Sequence, residues 1–140
     1  MPAPVGLHAL CARLVEELRA DACVVSRALG DVLIQVAEHV GDGGTLLLGQ
    51  GHLASDYPLT VEVLERRRPR TVSTADPDAD AAEVGLLRVL GYDALLMLPL
   101  PADGERWGLV EVYARGRPFS ETDVAAAERI VAARSGAVAA

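Results

Sequence analysis

The stretch from Glu83 to Tyr113 limits the possible folds of this chain more than any other segment. Its first part has apolar residues at helical spacing and ends at Gly91, where a residue in the left-handed conformation terminates a helix. A nearly continuous apolar run over Ala94–Leu100 predicts a strand that is buried on both faces. Asp103-Gly104 then predicts a tight turn into an antiparallel partner strand over Trp107–Tyr113. The segment therefore predicts a helix followed by two paired strands.

The remaining elements are predicted by local patterns on either side of this segment. Alternating apolar residues around Gly30 predict a β-hairpin whose second strand ends near Val40. Thr45–Leu48 predicts a short edge strand, and Pro58 predicts the start of a short helix. A further strand is expected over Thr71–Ser73. An amphipathic first helix is predicted by leucines spaced three and four residues apart: Leu7, Leu10, Leu14 and Leu18.

The chain end carries the signals of a terminal helix. Ser120 is a good N-cap, and Asp123 stands where the acid of a capping box would lie. Helices at both ends, with consecutive antiparallel strands and short helices between them, indicate the α+β class. At 140 residues, of which 51% are hydrophobic, the chain fits one domain over residues 1–140.

The composition disfavours nucleic acid and membranes as partners. Thirteen basic residues, all arginine, stand against 20 acidic residues, and the formal net charge of −7 repels phosphate groups. The N-terminus lacks the pattern of a signal peptide, and no apolar run reaches membrane-spanning length. Two cysteines, Cys11 and Cys23, are too few for a secreted disulfide scaffold, so we expect a cytoplasmic protein.

Several short motifs follow one another in an order that is more specific than any one motif. They are Pro58-Leu59 with Val63-Leu64, the arginine-proline before Thr71-Val72, Asp76-Pro77, Leu87–Tyr92, Leu95–Leu100, Asp103-Gly104 with Gly108-Leu109, and Phe119-Ser120 with Asp123. Together they resemble the GAF domain family over about Leu7 to Ala133. The resemblance implies a GAF-like (profilin-like) central antiparallel sheet of five or six strands with the terminal helices on one face. Loops and short helices would enclose a small-molecule pocket on the other face.

The known activities of this family require residues that can be sought in the sequence. Cyclic-nucleotide-binding members share an Asn-Lys-Phe-Asp-Glu motif, and this chain has neither asparagine nor lysine. Bilin-binding members attach pigment through a cysteine that is typically followed by histidine, whereas Cys11 precedes Ala12 and Cys23 precedes Val24. Members that reduce free methionine sulfoxide need a nucleophilic and a resolving cysteine. We expect both cysteines to be small buried hydrophobes and assign no catalysis, with methionine sulfoxide reduction as an alternative.

Six residues are candidate ligand contacts: His52, Asp56, Tyr57, Trp107, Glu111 and Tyr113. Strand alternation predicts that the last three share one face. If that face lines the pocket, Glu111 accepts hydrogen bonds from a ligand and the aromatic rings supply stacking surface. The alternative is a solvated or arginine-paired glutamate. The first three lie on a loop that would roof the pocket, although a lone histidine is more often a surface group.

No metal or cofactor is expected. Asp76, Asp78 and Asp80 alternate like the start of a calcium loop, but the glycine and glutamate that such a loop needs downstream are missing. Turn chemistry accounts for these aspartates.

The terminal helices suggest how such a domain would act on a partner. They would lie side by side, and exposed parts of Leu7, Leu10, Leu14 or Ile130 would form a homodimer interface. If Leu14 and Ile130 are consumed by their own sheet, the chain is monomeric. The expectation is a sensory domain that binds a small molecule non-covalently and signals through these helices to a partner or output module. The alternative is a dimerisation or scaffold module without a ligand.

Overall fold

Six antiparallel strands form one curled sheet in the computed structural model, which describes residues 6–44, 51–102 and 105–139. The strand order is β3, β2, β1, β6, β5, β4, and each neighbouring pair is antiparallel. The strands are β1 (Ala22–Leu29), β2 (Val32–Val40), β3 (Gly51–Leu53), β4 (Arg70–Ser73), β5 (Ala94–Ala102) and β6 (Glu105–Ala114). The predicted α+β fold is therefore confirmed.

Four α-helices cover the two faces of this sheet. They are α1 (Leu7–Leu18), α2 (Pro58–Arg66), α3 (Ala81–Leu90) and α4 (Glu121–Ala139). Helices α1 and α4 pack together on what we term the back face, and α2 and α3 pack on the front face. The capping box is confirmed, because the Ser120 hydroxyl accepts from the Asp123 N–H at 3.1 Å and the Asp123 carboxylate accepts from the Ser120 N–H at 2.9 Å.

Two predicted features fall outside the described residues: the Thr45–Leu48 strand and the Asp103-Gly104 turn. The edge strand that follows β2 among the described residues is β3. Gly91 ends α3 with a φ of 85°, as its position predicts, because glycine takes the left-handed conformation without a steric penalty.

The apolar stripe of the terminal helices is buried against the back face of the sheet. The residues expected to be partly exposed are instead 0 to 7% exposed and lie in the chain's own core: Leu7, Leu10, Leu14 and Ile130. They therefore do not supply the apolar surface predicted for a homodimer. The stripe predicted a buried face correctly, but the sheet covers that face completely.

A bulge in β6 changes the face of Trp107. Leu100 of β5 pairs with Gly108 and Pro101 pairs with Arg106, so Trp107 is the extra residue between them. Its side chain lies in the back core, 7% exposed, with Leu100 and Val110. The prediction that Trp107 shares a face with Glu111 is wrong, because one extra residue breaks the two-residue alternation along a strand.

Candidate functional site

Glu111 lies in the middle of the front face. The register of β6 places it opposite Val24 of β1 and Met97 of β5, and its side chain is only 4% exposed. The hydroxyl of Tyr113, which points to the same face, donates a hydrogen bond of 3.2 Å to the Glu111 carboxyl. The alternative of a solvated or arginine-paired glutamate is wrong: the residue is buried, and the ion pairs of the described residues lie elsewhere.

A second buried carboxyl, that of Glu83, reaches this site from helix α3. Asp80 caps the helix by accepting from the Glu83 N–H at 3.1 Å, which places Glu83 in the first turn. The Glu83 side chain is 1% exposed, and its carboxyl accepts a hydrogen bond of 3.0 Å from the Thr60 hydroxyl on α2. The same hydroxyl lies 3.5 Å from the sulfur of Met97. Glu83 and Thr60 were not among the sequence candidates.

The sequence does contain a signal that could have found Glu83. The glutamate stands between Ala82 and Val84, in the first turn of a helix whose other side chains are mainly apolar. A first-turn acid is ordinarily explained by the helix dipole. Only the position of α3 on the sheet shows that this one is buried.

Burial raises the pKa of both carboxyl groups. Desolvation, together with the charge of Glu83, raises the pKa of Glu111 to about 8, and the hydrogen bond from Tyr113 offsets part of this rise. Desolvation also raises the pKa of Glu83 to about 7; the Thr60 hydrogen bond opposes the rise, and the charge of Asp80 adds to it. Near neutral pH the pair therefore retains protons that carboxyl groups in water would have lost.

Tyr57 precedes helix α2, and its ring contacts that of His52, which lies in strand β3 and not on the predicted loop. Their rings meet edge to face with centroids 5.6 Å apart. Burial raises the pKa of Tyr57, and the charges of Glu83, Asp56 and Glu111 add to the rise. Partial burial lowers the pKa of His52, which the charge of Asp56 opposes. Asp56 itself is exposed.

Two more polar side chains on the front face have buried atoms without hydrogen-bond partners among the described residues. These atoms are Ser26 Oγ and Gln35 Oε1. The two residues are paired across β1 and β2, and Ser26 faces Leu109 of β6, so both share the face of Glu111. They were not predicted, because their burial depends on strand pairing.

The remaining sequence candidates lie on the back of the sheet. The Arg27 guanidinium lies 4.9 Å from the ring centroid of Trp107 and donates a hydrogen bond of 2.8 Å to its carbonyl oxygen. Cys11 of α1 and Cys23 of β1 are free and fully buried, and they lie close together where α1 packs on the sheet. Burial raises the pKa of the Cys23 thiol, and its hydrogen bond with Cys11 adds to the rise. Such a thiol is a poor nucleophile.

Two neighbouring cavities lie at one end of the sheet, and neither is lined by Glu83 or Glu111. A groove of about 290 Å³ lies between the end of β5 and helix α4, with Arg67 and Glu128 in its lining. A smaller cavity of about 120 Å³ shares Arg67 and Pro99 with it. In the part of the chain that the structure describes, no cluster of three or more histidine, cysteine or acidic side chains could hold a metal ion. None of the described helices is long and apolar enough to span a membrane.

Comparison with known proteins identifies relatives of this arrangement. A family model for the GAF domain matches residues 6–138. No curated protein matches the chain. The phycocyanobilin-bound GAF domain of a cyanobacterial phytochrome is similar in structure, with a TM-score of 0.80, 25% identity, and coverage of 95% of this chain and 82% of that one.

Two further solved structures share the fold. The blue-light-absorbing form of the Thermosynechococcus elongatus PixJ GAF domain has a TM-score of 0.78 and 20% identity, with 94% of this chain and 82% of that one covered. The chromophore-binding domain of Stigmatella aurantiaca phytochrome P1 has a TM-score of 0.75 and 19% identity; the match covers 95% of this chain and 53% of that one. The similarities confirm the fold expected from the sequence.

Proposed function

Because the chain belongs to the GAF domain family, we propose that it is a cytoplasmic sensory domain that binds a small molecule non-covalently on the front face of its sheet. The observation that carries this proposal is the convergence of two buried carboxyl groups, those of Glu83 and Glu111, from different elements. Ionisable groups with strongly perturbed pKa values concentrate at functional sites. Tyr113 and Tyr57 add phenol groups beside them.

The position of the thiols supports non-covalent binding. One similar structure holds phycocyanobilin, and another is bound to phycoerythrobilin. Cys11 and Cys23 lie in the back core of this chain, and the sheet separates them from Glu111. Covalent attachment at the front face and thiol-dependent reduction of a bound sulfoxide both need a thiol on that face. The same geometry therefore disfavours the methionine sulfoxide reductase alternative.

Strand β6 supplies a route from the site to the terminal helices. Its front carries Glu111 and Tyr113, while Val110 and Val112 pack in the back core under α1 and α4. The carbonyl of Tyr113 accepts a hydrogen bond of 2.8 Å from the N–H of Asp21, just after α1. We infer that a ligand with different contacts in two arrangements of β6 shifts the terminal helices, since only differential affinity moves such an equilibrium.

Arg117 connects the same strand to both helices. Its guanidinium donates to the carbonyl oxygen of Leu18 at the end of α1 and, at 3.1 Å, to the carboxylate of Asp123 in α4. A shift of β6 would therefore reach both chain ends together. An output module attached to either helix is the partner that this arrangement suits.

The scaffold alternative needs a different surface from the one expected. Among the side chains that the structure describes, those exposed on α1 and α4 are polar residues and alanines, because the leucines of α1 and Ile130 of α4 are buried. A homodimer through these helices would have to use exposed polar residues, which give weaker and more salt-sensitive contacts. Light scattering after gel filtration at two salt concentrations distinguishes a salt-dependent dimer from a monomer.

The test of sensing is a thermal-shift screen against a metabolite library. A ligand at the front face raises the melting temperature in a saturable manner, and Glu111→Gln weakens this shift. Glu65→Gln, a change at an exposed position on α2, leaves it unaltered. Ligand-induced changes in the amide signals of Asp21 and Arg115 would support the route through β6. An unchanged melting temperature with every compound, and an interior filled by side chains, would favour the scaffold.

A further inference from the structure

Several polar groups of the front face have hydrogen-bonding capacity that the described residues leave unused. Glu83 and Glu111 contribute four carboxyl oxygens. Among the described side chains, the Thr60 hydroxyl donates to Glu83 and the Tyr113 hydroxyl donates to Glu111. Ser26 Oγ and Gln35 Oε1 are buried and have no partner among the described residues. A buried polar atom without a hydrogen-bond partner costs free energy, which a ligand that supplies the partner would recover.

The acceptors are also close enough for one ligand to reach. Ser26 and Leu109 are direct cross-strand partners, and Glu111 is two residues further along β6 on the same face. Such diagonal neighbours lie about 7–8 Å apart at their Cα atoms. Gln35 is the direct partner of Ser26 on the other side. Gln35, Ser26 and Glu111 therefore lie along one row of the front face.

No described arginine neutralises the two carboxyl groups. Arg27 faces the back of the sheet, where it lies over Trp107. Arg115 lies 4.6 Å from the ring centroid of Tyr92, and its Nε donates to the carbonyl oxygen of Gly91 at 3.2 Å. The ion pairs within the described ranges involve Glu62, Asp21 and Asp123. Among the described residues, no positively charged side chain thus pairs with the two carboxyl groups of the front face.

We propose that the ligand of this site is a small organic cation of the amidinium or guanidinium class, whose N–H groups bind Glu83, Glu111, Ser26 and Gln35. This inference rests on the proposed function and names the chemistry of its ligand. A planar cation of this class offers several N–H donors in a fork that matches carboxylate geometry. The flanking Tyr113 ring and the Met97 thioether provide an apolar surface for its plane. Ligands that place a carboxylate or phosphate here are disfavoured, because no positive side chain among the described residues would pair with them and they would repel any carboxyl group of the pair that is ionised.

Binding of such a cation releases protons. A positive charge beside the pair favours its ionised form, so a proton leaves a carboxyl group for the solvent on binding. The other titratable groups on this side include the phenols of Tyr113 and Tyr57, and the carboxyl groups of Asp80, Asp56 and Glu38; Glu38 shares the face because it and Glu111 both pair with Val24. Burial raises the pKa of both tyrosines, so they remain neutral between pH 6 and pH 9.

The experiment uses three compounds of one shape and different charge: benzamidine, benzamide and benzoate. Benzamidine is expected to bind at least tenfold more tightly than either of the others in calorimetry at pH 8. Its affinity rises by up to about tenfold per pH unit for each proton released between pH 6 and pH 8. The observed enthalpy should change with the ionisation enthalpy of the buffer. Tighter binding of benzoate or benzamide, or an affinity independent of pH, would overturn the inference.

Three variants, one of them a control, keep the test independent of folding. Glu111→Gln should weaken benzamidine binding at least tenfold, whereas Glu65→Gln should not change it. Ser26→Ala removes a buried hydroxyl without a described partner, so we expect this variant to be as stable as the unaltered chain and to bind benzamidine several-fold more weakly. Equal affinity in a folded Ser26→Ala variant would remove Ser26 from the site. If the library instead yields an anionic or neutral ligand that Glu111→Gln no longer binds, the proposed cationic ligand class is refuted. The proposed sensory function would then still hold.

Discussion

The hydroxyl of Tyr113 donates a hydrogen bond of 3.2 Å to the carboxyl of Glu111, two residues earlier on the same strand. Residues two apart on a strand share a face, so this contact lies wholly within the buried front of the sheet. It is the one hydrogen bond to Glu111 that the described residues provide, and desolvation outweighs it. The folded chain therefore holds Glu111 in its protonated form near neutral pH.

The stability of the protein should fall as pH rises through the neutral range. The folded-state pKa of Glu111, about 8, lies above its ordinary value of 4.5, so its stabilising contribution is complete below about pH 4.5 and is lost as pH rises through 8. Glu83, with a pKa of about 7, acts in the same direction. Urea unfolding at pH 5 and pH 9 should differ by on the order of 3 kcal/mol.

Glu111→Gln tests whether Glu111 causes this pH dependence of the free energy of unfolding, because glutamine stays neutral at both pH values. The variant should lose a large part of the difference and be more stable than the unaltered protein at pH 9. Glu65→Gln should keep the full slope, since that residue is exposed. A flat profile in the unaltered chain would contradict the burial of the pair.

Gly108 should tolerate no side chain. A Cβ at this position would overlap the carbonyl oxygen of Ser26 on the neighbouring strand, and a backbone atom cannot move aside cheaply. Gly108→Ala should therefore lower the free energy of unfolding by more than about 2 kcal/mol. Gly85→Ala is the matched control: Gly85 lies inside α3 with nothing near its Cβ position, and alanine there should stabilise by up to about 1 kcal/mol. If chemical denaturation shows that the two substitutions change the free energy of unfolding equally, Gly108 does not lie against the Ser26 carbonyl oxygen.

Arg117 should stabilise the junction of the two terminal helices. Arg117→Ala removes the hydrogen bonds to Leu18 and Asp123, and we expect a loss of about 1–2 kcal/mol because the guanidinium is partly exposed and screened. Arg129→Ala, an exposed change on α4, should alter the unfolding free energy by less than about 0.5 kcal/mol. Hydrogen exchange should show faster opening at the end of α1 in Arg117→Ala alone. If hydrogen exchange at the end of α1 is unchanged in Arg117→Ala, the Arg117 hydrogen bonds do not stabilise the junction of the two helices.

The two native thiols should be unreactive in the folded state. Cys11 and Cys23 are fully buried, and burial raises the pKa of Cys23. A thiol-specific chromogenic disulfide should therefore label them only as fast as the chain opens, and both at once in urea. Ala9→Cys places a thiol on the exposed side of the same helix and should react at once. Rapid labelling of one native cysteine in the folded protein would contradict its burial and would support the methionine sulfoxide reductase alternative.

The element order was predictable because short-range patterns determine it. The Ser120 and Asp123 capping box, the left-handed Gly91 and the apolar run of β5 are signals between residues close in sequence, and each was found where expected. The family resemblance used the same local motifs. Strand alternation also predicted that Glu111 and Tyr113 share a face, because β6 is regular in that part, but it left open which face of the sheet this is.

The sequence by itself thus determined the α+β class, the family and the elements that surround the site. The tertiary structure alone decided which groups the site contains, because burial and strand pairing join residues far apart in the chain. Thr60 meets Glu83 from 23 residues away, and the pairing of β1 with β2 and β6 buries Ser26. The bulge that turns Trp107 to the back face is likewise a property of paired strands. A carboxyl group loses its water, and so acquires an unusual pKa, only when elements distant in sequence close over it.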